Sequence, residues 1–182
     1  MLRLIAVAAL ASLLAVLPGC GPHRAAPPAD VPLLRLPPSA LPGGMAEQQR
    51  LTFTHGQRSD TVDALVEVDA DEVRVVIHAQ GQVALRLAWD GQSLEQTRAD
   101  WLPPALTAER VLSDLQWVFW PPEAIDASLP AGWRFTADGE RRTLVHQGDV
   151  VTVVERSAPG RMLLRQNRHG YQLQILSVPV SP

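Results

Sequence analysis

The chain has one cysteine, Cys20, and no lysine among its 182 residues. A single cysteine excludes an intramolecular disulfide, so the burial of side chains must stabilise any folded domain. All sixteen basic residues are arginines, they are scattered along the chain, and the formal net charge is −3. Because a nucleic-acid-binding surface needs a concentration of positive charge, we expect no nucleic-acid partner.

The sequence also lacks the patterns of common hydrolases and metal enzymes. It contains no G-x-S-x-G elbow, no C-x-x-C pair and no H-x-x-x-H spacing. The histidines His55, His78, His146 and His169 are separated by long intervals, and three of them lie in or beside predicted turns. We therefore predict a protein that is not an enzyme and that uses neither a metal nor a cofactor.

The first nineteen residues have the layout of an export signal. Arg3 is followed by an uncharged run at residues 4–17, which is short for a membrane-spanning helix, and then by small residues. The pair Gly19-Cys20 resembles the bacterial lipobox, and this resemblance implies cleavage before Cys20 and attachment of a diacylglycerol to its thiol. An ordinary signal peptide with an incidental cysteine is the alternative.

Seven prolines lie in residues 21–44. Prolines at this density favour extended, polyproline-like chain, so the stretch is predicted to be a stiff tether. At ~3.1 Å per residue it would hold a domain up to roughly 70 Å from a membrane. Leu33, Leu34 and Leu36 indicate that its second half lies on the domain. The predicted parts are a signal peptide at 1–19, a lipidated cysteine and tether at 20–44, and a domain at 45–182.

From Gln49 onward, apolar and polar residues alternate with a period of two, which is typical of half-buried antiparallel strands. Turn signals such as Asp90-Gly91 and Asp138-Gly139 separate the apolar stretches. Strands are predicted at residues 51–53, 62–68, 73–77, 83–89, 133–136, 142–146, 150–155, 161–166 and 171–177.

A helical pattern interrupts the strands. Thr107 is a candidate N-cap, apolar residues recur at helical spacing up to Phe119, and Pro121-Pro122 end the pattern. Residues 123–129 are predicted to add a short second helix. The predicted fold is mainly β with α: a curved antiparallel sheet of roughly ten strands forms an incomplete, half-open β-barrel, and the helices cover its mouth.

This order of parts resembles the outer-membrane lipoprotein receptor LolB and its relatives. The stretch AERVLSDLQWVFWPPEAI stands where that family has its helix and the segment after it. More closely, the chain resembles uncharacterised proteobacterial lipoproteins found beside aryl-polyene biosynthesis and export enzymes, through the stretches LTFTHG, ALVEVDAD, WLPPAL and GYQLQIL. The resemblance implies a LolA/LolB-like half-barrel that receives an acyl chain at the periplasmic face of the outer membrane, with envelope transport or biosynthesis proteins as partners.

The chain departs from the LolB pattern in one loop. LolB-like receptors that insert lipoproteins carry an exposed leucine after their third strand, whereas residues 78–82 here read HAQGQ. The resemblance therefore implies lipid binding without implying delivery of lipoproteins.

The sequence supports two functions of different classes. The first is a membrane-anchored protein that binds or transfers an acyl or polyene-type lipid; the second is a structural or assembly lipoprotein that docks another envelope protein and binds no small ligand. The tryptophans near the helix fit either an open cavity or a filled core. In the first case, the residues expected to line the ligand are Phe53, Val66, Val75, Ile77, Leu85, Leu87, Trp89, Leu112, Leu115, Phe119, Trp120 and Trp133.

Overall fold

A computed structural model describes residues 30–104 and 106–180 of the chain, so the predicted signal peptide and Cys20 lie outside the described residues. The described part contains a 3₁₀ turn at Pro38–Ala40, two α-helices and ten strands. Along the chain these are β1 (Met45–His55), β2 (Arg58–Val68), β3 (Val73–Ala79), β4 (Gln82–Trp89), β5 (Leu94–Arg98), α1 (Ala108–Phe119), α2 (Pro122–Ser128), β6 (Trp133–Asp138), β7 (Arg141–His146), β8 (Asp149–Ala158), β9 (Arg161–Gln166) and β10 (Tyr171–Pro179).

The ten strands form one antiparallel sheet. Its order is β5-β4-β3-β2-β1-β10-β9-β8-β7-β6, so β1 and β10 pair at the centre and join the two halves of the chain. In this central pair Leu51 lies opposite Ile175. The sheet ends at β5 and β6, which do not pair with each other, so it is open. The predicted mainly β, antiparallel architecture is confirmed.

The sheet bends around α1. This helix contacts β4 and β5 on one side and β9 on the other. In the order of the sheet β4 and β9 are five strands apart, which corresponds to about 24 Å in a flat sheet. A helix with its side chains is only about 10–12 Å wide. Strands so far apart can meet one helix only if the sheet curves.

Apolar residues of alternate strand positions form the inner face, which we define as the sheet face covered by α1 and α2. Val66, Val75 and Leu87 are cross-strand neighbours on β2, β3 and β4, and all three are buried. Their sequence neighbours Glu67 and Arg74 point to the opposite, outer face and are exposed. The period of two in the sequence thus separates a buried face from a solvated one.

The helices begin and end where the sequence predicts. Thr107 caps α1, because its hydroxyl oxygen accepts a hydrogen bond from the Arg110 N–H at 3.3 Å. Pro122 opens α2 at a position where its missing N–H costs nothing. Among the described residues, neither helix combines the length and the apolar character that a membrane crossing requires.

One strand was not predicted, and two begin several residues earlier than expected. β5 has a single large apolar residue, Leu94, so it carries no period-two signal, yet it pairs with β4 from Trp89 to Leu85. β1 begins at Met45, six residues before the predicted strand, and β2 begins four residues before its predicted start. Their first pairs are Met45 with Val68 and Ala46 with Glu67. In each case ladder hydrogen bonds to a neighbouring strand decide the structure.

The N-terminal segment at residues 31–37, which we call the strap, is part of the packed unit. Val31, Leu34 and Leu36 are buried in the same apolar core as the inner face, whereas Leu33 is 45% exposed. The packed unit therefore includes Val31, Leu34 and Leu36, which lie inside the stretch predicted as tether. The expectation that the second half of the tether lies on the domain holds for Leu34 and Leu36.

Candidate functional site

The strap lies between α1 and β4 without joining the sheet. The Leu34 N–H donates a hydrogen bond to Ser113 Oγ at 3.0 Å, and the Leu36 N–H donates to Gln116 Oε1 at 3.0 Å. The Gln116 side-chain amide also donates to the Leu36 carbonyl at 2.9 Å. Gln116 therefore binds both backbone groups of Leu36, as a neighbouring strand would do.

Two tryptophans donate further hydrogen bonds to carbonyls of the strap. Trp89 Nε1 on β4 donates to the Leu36 carbonyl at 2.8 Å, and Trp120 Nε1 at the end of α1 donates to the Pro37 carbonyl at 3.2 Å. A buried carbonyl without a partner costs free energy comparable to a lost hydrogen bond. Side chains thus make a buried path for extended chain, and we call the space that the strap fills the trough.

The structure brings together most of the residues expected to line a ligand. Nine of the twelve are buried in one apolar cluster, and Phe119 and Trp133 pack against that cluster while partly exposed. Phe53 is 37% exposed, and its ring lies 5.1 Å from that of Tyr171. The nine buried residues are Val66, Val75, Ile77, Leu85, Leu87, Trp89, Leu112, Leu115 and Trp120.

These residues contact one another and the strap, so in this conformation they form a filled core. Two grooves of the described surface lie away from this core. One, of about 460 Å³, lies on the outer face beside Leu176 and Val178. The other, of about 270 Å³, lies beside Arg142 and Arg156 near the end of α1. Neither groove is lined by any of the twelve residues.

Arg142 at the second groove has a structural role. Its guanidinium donates to the Trp120 carbonyl at 2.7 Å and to the Trp117 carbonyl at 3.4 Å, at the C-terminal end of α1. A cation at this end also interacts favourably with the helix dipole. Partial burial lowers the pKa of Arg142, and the nearby Arg156 lowers it further. The arginine therefore fixes the end of the helix from which Trp120 reaches the strap.

A polar cluster lies at the other end of the trough, where the strap begins. We define it as Asp30, Arg110, Asp114, His169 and Tyr171. The Tyr171 hydroxyl lies 2.8 Å from each carboxylate oxygen of Asp114. His169 Nδ1 lies 3.1 Å from Arg110 Nη1, and its Nε2 lies 2.9 Å from Asp30 Oδ1. The cluster links the start of the strap to the first half of α1 and to the start of β10.

Burial governs the electrostatics of the inner part of this cluster. Desolvation raises the pKa of Asp114 to about 7, against the opposing effects of the Tyr171 hydrogen bond and the Arg110 charge. Burial and the adjacent carboxyl group raise the pKa of Tyr171. Asp114 is half-buried, so part of its side chain still meets solvent. Near neutral pH, Asp114 is thus a carboxyl group in exchange between its charged and neutral forms.

This shift predicts a pH dependence of stability. The pKa of Asp114 lies above its ordinary value of 3.8, so between about pH 4 and pH 7 the folded protein binds more protons than the unfolded one. The free energy of unfolding should fall as pH rises through this window and then level off. Asp114→Asn removes the titrating carboxyl group. The free energy of unfolding of the parent, relative to that of the variant, should therefore decrease from pH 4 to pH 8. Urea midpoints at pH 4, 5.5 and 8 measure it, and parallel profiles of the two proteins would contradict it.

Sequence reasoning missed the polar residues that hold the strap. Ser113 and Gln116 lie on the same helical stripe as Leu112 and Leu115, and all four are buried. A polar side chain within an apolar stripe needs a buried partner, so this spacing was a signal that some backbone would pack there. The sequence could not show that the partner is the segment at residues 31–37, about eighty positions away.

Within the described residues, no group of three or more histidine, cysteine or acidic side chains is placed to hold a metal ion. Buried side-chain nitrogen and oxygen atoms in this part of the chain all have hydrogen-bond partners. The chemical resources of the trough are therefore an apolar wall, a row of donors and acceptors from Ser113, Gln116 and Trp89, and the polar cluster at one end.

A comparison with the curated proteins gave no match. A family model does match, over residues 46–179, which include every strand of the sheet except the first residue of β1, together with both helices. The chain belongs to this family, whose description reads protein of unknown function (DUF3261).

Proposed function

We propose that this protein is a membrane-anchored lipid-binding or lipid-transfer lipoprotein of the bacterial envelope. In this proposal Cys20 carries the lipid anchor, the domain stands at the periplasmic face of the outer membrane, and the trough takes the hydrocarbon chain of an acyl or polyene-type lipid. A LolA/LolB-like half-barrel is the architecture that the proposal implies.

One observation carries the proposal: the trough holds an extended aliphatic segment, the strap, and this segment pairs with no strand of the sheet. Its backbone bonds to side chains of α1 and β4, and its buried groups are the aliphatic side chains of Val31, Leu34 and Leu36. An extended chain with aliphatic substituents has the shape and chemistry of a hydrocarbon tail. The trough that accommodates the strap therefore has the shape and the apolar lining that a hydrocarbon tail would need.

The energetics allow an exchange between strap and ligand. If the strap leaves, the ten-stranded ladder stays intact, because the strap makes no strand pairing. The released backbone groups of Leu34 and Leu36 would bond to water. Ser113, Gln116 and Trp89 would lose their partners in the strap, so water or a polar group of the ligand must replace them, and each group left unpaired would cost about 1–3 kcal/mol. An acyl chain gains about 0.8 kcal/mol for each buried methylene, so a tail of ordinary length matches the burial that the three aliphatic side chains give up.

The structural or assembly function remains the second candidate, and a specific observation favours it. The inner face is filled by the protein's own side chains in this conformation, while the outer face presents a groove of about 460 Å³ beside the exposed Leu176 and Val178. A protein partner bound at that groove would require no opening of the core.

Native mass spectrometry of the processed chain tests the proposal. The chain from residue 20 onward with Cys20→Ser carries neither the predicted signal nor an acylated thiol, so it is the soluble form for this measurement. This soluble form should carry bound fatty acyl species in native spectra. Phe119→Glu, which puts a charge at the partly buried edge of the core, should abolish the adducts, whereas Leu65→Glu on the exposed outer face should retain them.

The contrary result is a spectrum that contains only the bare polypeptide, together with no gain in ANS fluorescence on addition of the protein. This outcome would favour the structural lipoprotein. A mature parent chain whose mass shows an unmodified Cys20 thiol would contradict the lipid anchor without bearing on the trough.

A further inference from the structure

The trough ends at the carboxylate of the residue that directly precedes the strap. Asp30 directly precedes Val31, the first buried aliphatic residue, and its Oδ1 lies 2.9 Å from His169 Nε2. The strap therefore runs from an anionic group at the polar cluster into aliphatic side chains in the trough. This is the sequence of groups in a fatty acid, with a carboxylate followed by hydrocarbon.

The hydrogen-bond partners of His169 define what its outer nitrogen offers. Arginine can only donate hydrogen bonds, so the 3.1 Å contact with Arg110 Nη1 makes His169 Nδ1 an acceptor. The proton then lies on Nε2, which donates to the Asp30 carboxylate. The pKa of Asp30 is lowered mainly by the hydrogen bond from the Val31 N–H and further by His169 and by the charge of Arg110. Arg110 thus supplies positive charge behind the Nε2 donor. The pair is thus arranged to receive an anion.

We propose that the His169–Arg110 pair is the head-group site of the trough and that it selects acyl chains ending in a carboxylate, which bind in the place of Asp30. This inference rests on the proposed function and deepens it, because it names the ligand class as long-chain carboxylates. The strap is then an internal competitor that matches the ligand at both its head and its tail.

The exposure of Asp30 makes the exchange feasible. Its side chain is 81% exposed, whereas that of His169 is 27% exposed. Contacts between groups this accessible to solvent are weak, worth about 1 kcal/mol or less. Another carboxylate can therefore replace Asp30 at small cost. The same weakness sets the size of the selectivity, which should be at most roughly fivefold in the dissociation constant.

Two probes with the same tail and different heads test the inference. Palmitate and hexadecanol share a sixteen-carbon chain, and only palmitate carries a charge. Their dissociation constants for the Cys20→Ser processed chain are measured at pH 7.5 from the change in tryptophan fluorescence. We expect palmitate to bind roughly fivefold more tightly than hexadecanol.

Three variants of the polar cluster locate the selectivity. His169→Phe keeps a ring beside Tyr171 but removes both nitrogens, so the ratio of the two dissociation constants should fall to about one. Arg110→Gln should reduce the ratio in the same direction, which provides a second measurement if His169→Phe folds poorly. Asp30→Asn removes the competing carboxylate and should raise the preference for palmitate.

The possible outcomes separate this inference from the proposed function. Equal affinity for palmitate and hexadecanol, or a preference that persists in both His169→Phe and Arg110→Gln, overturns the head-group site and leaves lipid binding standing. Failure of the parent chain to bind either probe overturns the proposed function and the inference with it.

Discussion

Trp120→Ala is expected to lower the free energy of unfolding by about 3–5 kcal/mol, the cost of deleting a large buried aromatic side chain. Trp120 is fully buried at the C-terminal end of α1, and its indole donates to the Pro37 carbonyl. The variant would lose the packing of the indole and its hydrogen bond to that carbonyl, which keeps the Ala40 N–H as a donor at 3.1 Å. Urea unfolding at pH 7, followed by circular dichroism, gives the difference from the shift in midpoint at constant slope.

Trp101 provides the matched control for this change. It is 43% exposed, so Trp101→Ala should change stability by about 0.5 kcal/mol or less. Trp120→Phe keeps most of the apolar volume but removes the N–H and the five-membered ring, for which we expect a loss of about 1–2 kcal/mol. If Trp120→Ala costs no more than Trp101→Ala, the end of α1 does not pack against the strap as described.

Leu34→Ala should lower the free energy of unfolding by about 2–3 kcal/mol, because it removes a buried side chain from the trough. Leu34 is 3% exposed, whereas its neighbour Leu33 is 45% exposed. Leu33→Ala is therefore a control with the same chemical change at the next residue, and it should cost about 0.5 kcal/mol or less. The free energy lost in Leu34→Ala has an upper limit. Once the strap detaches completely, the variant has lost the free energy with which the strap docks, and it can lose no more.

The same pair of variants bears on the trough as a site. Detachment of the strap in Leu34→Ala should increase hydrogen exchange at the Leu36 amide, which is bonded to Gln116. It should also increase ANS fluorescence and fatty acyl uptake, because the inner face becomes accessible. Leu33→Ala should leave all three measurements unchanged. Faster exchange without greater uptake would show a strap that covers a core unable to accept a ligand.

Trp120→Ala and Leu34→Ala are both expected to weaken the docking of the strap. Trp120 donates a hydrogen bond to the strap from the end of α1, and Leu34 is a buried residue of the strap itself. Residues that share a partner often couple, so their double variant should lose less than the summed single losses if each alone already frees the strap. The strap is in this view a small cooperative segment whose stability is separable from that of the sheet.

The period-two pattern determined most strands, because an antiparallel strand with one covered face requires alternation. Val66, Val75 and Leu87 could be assigned to a buried face from their spacing alone, and the helix from Ala108 to Phe119 could be placed from its cap and its apolar stripe. β5 could not be placed in this way. Its residues are mostly polar, and only its ladder with β4 makes it a strand.

The pairing of β1 with β10 was beyond the reach of the sequence as well. These strands are separated by more than one hundred residues, and nothing in their local patterns marks them as partners. The open order of the sheet follows from this pairing, and so does the curvature that brings β4 and β9 to the same helix. Long-range pairing is a property of the whole chain, since it depends on which edges the other strands leave free.

By itself, the sequence determined the alternation of faces, the helix and its caps, and the set of apolar residues that meet inside the sheet, because each of these follows from local spacing and from the burial of apolar surface. Only the tertiary structure decided that residues 31–37 fill the trough and that Asp30 meets His169. Those contacts depend on Ser113, Gln116 and Trp89 arriving from distant parts of the chain to satisfy one short stretch of buried backbone. No local sequence pattern specifies these contacts, because they form only when the sheet curves around α1.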